Sequence, residues 1–118
     1  MTTTDQPGSP QQAELLEPSS GNIQRCADAL LSGHLVAFPT ETVFGLGAAV
    51  TKLNAVQAIF TAKGRPFEHP LIAHVAPGAN LTGWVAEVTP VMQKLMNAFW
   101  PGPLTLVVPK GDRMPLEV

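Results

Sequence analysis

Ile23, Ala27, Leu30 and Leu31 recur near helical spacing behind Asn22, a capping residue, and Gly33 closes the run. This pattern predicts a helix over 22–32. Residues 35–38, Leu-Val-Ala-Phe, are continuously apolar and end at Pro39, as a buried strand would. The segment 39–47 is polar at its start and glycine-rich at its end, which predicts a loop or irregular strand with a close backbone approach. A second helix is expected from Asn54, with Val56, Ile59 and Phe60 on its apolar face and Gly64 and Pro66 ending it. Residues 71–75 read as a second buried strand, with Pro77-Gly78 as its turn, and a short helical turn is expected over 81–85. Thr89-Pro90 opens a third helix, a capping hydroxyl followed by proline at the first helical position. Val91, Met92, Leu95, Met96 and Phe99 give that helix a buried face, residues 100–103 stop it, and residues 104–108 read as a third buried strand.

Strands that alternate with helices indicate an α/β domain whose sheet is covered by helices. Three strands are few for such a sheet, so the domain is expected to be incomplete. Residues 1–21 lack this periodicity and are rich in Thr, Ser, Gln and Pro. They are expected to form a flexible N-terminal tail, with 22–118 as the N-terminal part of the domain. The tail holds Asp5, Glu14 and Glu17 and no Lys or Arg, whereas the rest holds seven basic against six acidic residues. It has neither the basic start and apolar middle of a secretory signal nor the arginines of a transit peptide.

Composition narrows the function classes. Of the 118 residues 45% are hydrophobic and 14% charged, which excludes a wholly disordered chain. No apolar run reaches the roughly 18 residues of a membrane span, so no membrane association is expected. Cys26 is the only cysteine, which excludes an internal disulfide framework and a cysteine zinc site. A cytoplasmic location is the expectation. A net charge of −2 argues against nucleic-acid binding through bulk charge, though a local basic patch stays open.

The common phosphate loops are missing. Gly45-x-Gly47 is followed by Val50 where a dinucleotide fingerprint needs Gly or Ala, and no Gly-x-x-x-x-Gly-Lys-Ser/Thr run exists. His69 and His74 are five apart with Pro70 between them, which disfavours a metal pair on one helix face. Lys63-Gly64-Arg65-Pro66 is more informative. Pro66 biases Arg65 to an extended geometry in which both cations share a side, suited to an anion such as a triphosphate. The same residues also suit a solvated helix C-terminus. Thr40-Glu41-Thr42 follows a buried strand, so two hydroxyls could address a small polar ligand at the strand's carboxyl end, or serve as turn residues. His74 falls inside a predicted buried strand, where a satisfied core histidine is the ordinary alternative to a ligand. His69 stands close enough behind the cation pair to reach the same anion. Trp100-Pro101-Gly102-Pro103 reads as a rigid turn and core anchor.

Together these residues resemble a known family. Pro39-Thr40-Glu41-Thr42-Val43-Phe44-Gly45-Leu46-Gly47, then Lys63-Gly64-Arg65-Pro66, then Pro70-Leu71-Ile72-Ala73-His74-Val75, then Phe99-Trp100-Pro101-Gly102-Pro103-Leu104-Thr105 is similar to the YrdC-like threonylcarbamoyl-AMP synthases. Phe44 stands where that family often has tyrosine. The resemblance implies an α/β fold, a YrdC-like twisted mixed sheet with helices packed on it, incomplete in this chain. It implies synthesis of L-threonylcarbamoyladenylate from L-threonine, bicarbonate and ATP with release of pyrophosphate. ATP is then a substrate, and Mg2+ is expected with it, its protein ligands unassigned. Partner proteins would transfer the threonylcarbamoyl group to adenosine in tRNA, with tRNA contact by this chain as an open expectation. By matching positions, Thr42 and His74 would contact L-threonine, Thr40 would shape that pocket, and Lys63, Arg65 and His69 would contact ATP. No covalent nucleophile is implied. Family members continue with a Thr-Val-Ala-Val-Arg-like strand and a Ser-x-Asn motif, neither of which precedes Val118, so exposed strand edges and apolar surface are expected. A noncatalytic RNA-binding YrdC-like module is the alternative.

Overall fold

Ser19 sits in extended geometry and its hydroxyl accepts from the Asn22 N–H at 3.2 Å, which starts α1 at Ser20–Leu31. The cap is therefore Ser19 rather than Asn22, whose side chain instead donates to the Glu17 carbonyl. At the other end Gly33 takes φ +90°. Its N–H donates to the Leu30 carbonyl and that of His34 to the Ala29 carbonyl, which satisfies the last turn and swings the chain into a strand.

The computed structural model describes residues 2–4, 12–64, 66 and 70–118. The chain divides into two compact units, Met1–His69 and Pro70–Leu116.

The first unit holds a four-stranded sheet: β1 at Thr2–Thr4, β2 at Glu14–Leu15, β3 at Leu35–Phe38 and β4 at Gly45–Gly47, in the order β2-β1-β3-β4. Every ladder is antiparallel, with Val36 opposite Gly47 and Thr3 opposite Val36. Two of these strands, β1 and β2, fall within residues 1–21, the segment read from the sequence as a flexible N-terminal tail. Leu16, next to β2, is buried with Cys26 of α1 and Val36 of β3, and Ala29, Leu30 and Phe38 pack around them. Cys26 is thus a small core hydrophobe. Glu14 and Arg25 pair at 3.0 Å between β2 and α1, but both are more than half exposed, so the pair contributes about 0–1 kcal/mol.

A second helix, α2 at Leu53–Lys63, packs against β3 and β4. It buries Ala55, Val56, Ala58, Ile59 and Phe60, and Gly64 ends it in the left-handed region at φ +61°. Full burial of a side chain such as Phe60 or Val56 stabilises by about 1.5–3 kcal/mol, so α2 is held mainly by tertiary packing.

The second unit is built on α3, Pro90–Phe99. The Thr89 hydroxyl accepts from the Met92 N–H at 3.2 Å, and Pro90 fills the first turn. Trp100 follows the helix, and its indole N–H donates to the Leu104 carbonyl at 2.8 Å, which anchors residues 101–104. Isolated bridges join Val85 to Thr82 in parallel and to Lys110 antiparallel. Gly83 takes φ +84° under Arg113, whose guanidinium lies 4.2 Å from the centre of the Trp84 ring.

Two expected strands do not form. Residues 71–75 and 104–108 carry no ladder, and Ile72 is 63% and Val107 98% exposed. A strand forms only when a neighbour takes its backbone hydrogen bonds in a regular ladder, and neither segment is assigned as a strand. Among the described residues, no helix is long and apolar enough to cross a membrane.

Candidate functional site

Pro39 ends β3, and the chain turns through residues 39–44 before re-entering the sheet as β4. The glycines of β4 permit this return. A Cβ on Gly47 would come 2.6 Å from Cε1 of Phe38, and one on Gly45 would come 3.6 Å from the same ring. The close approach expected at this segment is thus made by Phe38 of the neighbouring strand.

The loop is organised by hydroxyls. Thr40 Oγ1 donates to the Val43 carbonyl and accepts from the Thr42 N–H at 3.2 Å. The two threonine hydroxyl oxygens lie 3.4 Å apart, so Thr40 and Thr42 do share a side. Both are exposed, as are Glu41, Val43 and Phe44. The acceptor that organises Thr40 is a backbone carbonyl, which residue type alone does not reveal.

Lys63 is the last residue of α2 and is exposed. Ser32 and Gly33, which lead into β3, line a concavity of about 430 Å³ together with Thr51, Lys52, Leu53, Asn54 and Ala55. Hence α2 starts at the end of the sheet where β3 starts. Arg65 and His69, the other expected anion contacts, lie outside the described residues.

His74 belongs to the second unit. It is exposed, with Nδ1 3.2 Å from the Ile72 carbonyl, and not within a buried strand as expected. A concavity of about 650 Å³ in this unit is lined by apolar Val75, Leu81, Val88, Met96 and Trp100 and by the carboxamides of Asn80, Gln93 and Asn97. Thr40, Thr42, Lys63 and His74 are not among the residues that line it. Among the described residues, no three His, Cys, Asp or Glu side chains come together in a group that could hold a metal ion.

A family model described as "Telomere recombination", covering Sua5, YciO and YrdC, matches residues 28–118. A threonylcarbamoyl-AMP synthase of Pyrococcus abyssi is 50% identical over 93 residues, 79% of this chain and 27% of that protein. One from Bacillus subtilis is 43% identical over 94 residues, 80% of this chain and 27% of that protein. The crystal structure of P. abyssi Sua5 complexed with L-threonine superposes with a TM-score of 0.77 at 46% identity, over 88% of this chain and 30% of that one. The chain thus spans about a quarter to a third of the length of these relatives.

Proposed function

The chain belongs to the Sua5/YciO/YrdC family, and on that premise we propose that it carries part of the substrate site of an L-threonylcarbamoyladenylate synthase. The observation that carries this reading is the 50% identity to the P. abyssi threonylcarbamoyl-AMP synthase. The solved relative with bound L-threonine supports an amino-acid substrate.

In this reading the amine of L-threonine adds to the carbon of CO2 derived from bicarbonate and loses a proton, giving a carbamate. A carbamate oxygen then attacks the α-phosphorus of ATP, and the bond from that phosphorus to the α,β-bridging oxygen breaks, so that the β- and γ-phosphates leave as pyrophosphate. Both reactants are anionic, so fixed cations must stand where charge gathers, and alignment supplies much of the remainder. Lys63, Arg65 and His69 are the ATP contacts. Lys63 is suited to the task because it sits on a helix held by a buried face, which limits its wandering. Thr42 contacts L-threonine, Thr40 shapes the loop behind it, and His74 is a second threonine contact. Mg2+ would be ligated by the phosphates themselves. The product serves tRNA modification through partner proteins, in the cytoplasm.

The test is pyrophosphate release by the full chain with ATP, L-threonine and bicarbonate. Release that requires all three is the expected outcome. Pyrophosphate formed equally without L-threonine overturns the substrate assignment. RNA affinity that falls steeply with salt, without any pyrophosphate release, would favour the RNA-binding alternative.

A further inference from the structure

Gln93, Met96 and Asn97 stand on one stripe of α3, and Trp100 follows on the same stripe at its end. All four line the concavity of about 650 Å³ in the second unit, together with Asn80 and the turn at Gly78, which takes φ +73°. That volume is in the range of small-molecule sites, about 300–1,000 Å³. No charged residue lines it. Trp100 is already tied down: its indole N–H donates to the Leu104 carbonyl at 2.8 Å and its backbone N–H to the Met96 carbonyl at 2.9 Å. A plate held in this way loses little freedom when a second ring lies on it.

The polar groups are three carboxamides, each with a carbonyl oxygen and an NH2. Asn80 Oδ1 accepts from the Thr82 N–H at 3.0 Å. A backbone N–H can only donate, so this bond fixes the Asn80 amide and leaves its NH2 without a partner among the described residues. Gln93 Nε2 donates to Asn97 Oδ1 at 2.8 Å. Whichever way these two amides are turned, one carbonyl oxygen and one NH2 of the pair stay open.

We propose that this concavity is a site for a purine base, with no residue in common with the phosphate and threonine contacts proposed above. A base is flat and uncharged, and it stacks on an aromatic side chain. Its edge presents donors and acceptors side by side, the pattern that Asn and Gln match in adenine. A charged ligand would find no counter-ion among the lining residues. A trans peptide turns its N–H and C=O to opposite sides, which one carboxamide does not match. A free nucleoside and an unpaired base of RNA offer the same ring and edge. The inference does not rest on the threonine reading.

The experiment titrates adenosine, ribose and single-stranded hexaadenylate into the full chain and into Asn80→Asp and Asn97→Asp. Each substitution keeps the oxygen that already accepts and removes an NH2. Adenosine should move the backbone amides of Gly78, Asn80, Asn97 and Trp100, and ribose should leave them in place. By calorimetry, Asn80→Asp should weaken adenosine about fivefold, the loss of one ordinary hydrogen bond, with the denaturation midpoint of the parent chain. Adenosine that leaves these four amides unmoved, equal responses to adenosine and ribose, or undiminished adenosine binding in both variants overturns the site. Hexaadenylate that binds more tightly than adenosine, and loses affinity as salt rises, identifies RNA as the source of the base. Hexaadenylate that binds no more tightly identifies the free nucleoside. Pyrophosphate release tests the synthase reading separately, so the four amides judge the base site whichever way that test falls.

Discussion

A methyl group at position 47 would have to share space with Cε1 of Phe38, 2.6 Å from where its carbon would sit. That ring also packs on the buried cluster of Leu16, Cys26 and Val36, so it is not free to swing away. Gly47→Ala should therefore cost about 1–3 kcal/mol, measured as a lowered denaturation midpoint. A stability equal to that of the parent chain would show that the ring yields. The pair Gly45 and Gly47 announces a close approach in the sequence, but not its partner. Phe38 is nine residues away from Gly47, and only the antiparallel pairing of β3 with β4 brings the two together. The same limit applies to Thr40. Its residue type advertises turn chemistry, whereas its acceptor is the carbonyl of Val43, which every residue type would offer.

Helices were the legible elements, because their boundaries are written in local chemistry. Thr89-Pro90 and Gly64 start α3 and end α2 through contacts within a few residues. The cap of α1 lies three residues before the expected Asn22 because Ser19 and Asn22 are both able to cap, and the Ser19 hydroxyl takes the Asn22 N–H. Thr89→Ala should cost about 1 kcal/mol, read as loss of α3 helicity and of thermal stability, and no change would mean that the Met92 N–H finds another acceptor. Strands were less legible. Residues 35–38 and 104–108 look alike as apolar runs, but only the first has neighbours on both sides. Val107, 98% exposed, should accept serine with a change within about 0.5 kcal/mol, whereas Val36→Ala should be far more costly. A large loss from Val107→Ser in a denaturant titration would mean that this segment is packed after all.

Over the whole molecule, sequence identity and fold likeness reach most of this chain but only 27% of the P. abyssi synthase. Each compact unit has its own anchor, the sheet and α2 in one and α3 with Trp100 in the other. Within the first unit, β4 runs back toward the start of β3, and α2 packs against both strands. A formal charge of −2 leaves little bulk attraction for RNA, so local cations must do any anion binding.

The most direct test of the proposed substrate site is a backbone amide map of the full chain titrated with L-threonine and with ATP. L-Threonine should move the amides of Thr40, Thr42 and Val43, and ATP should move those of Lys63 and Gly64. Perturbations elsewhere in the chain, with these five amides unchanged, would contradict the account.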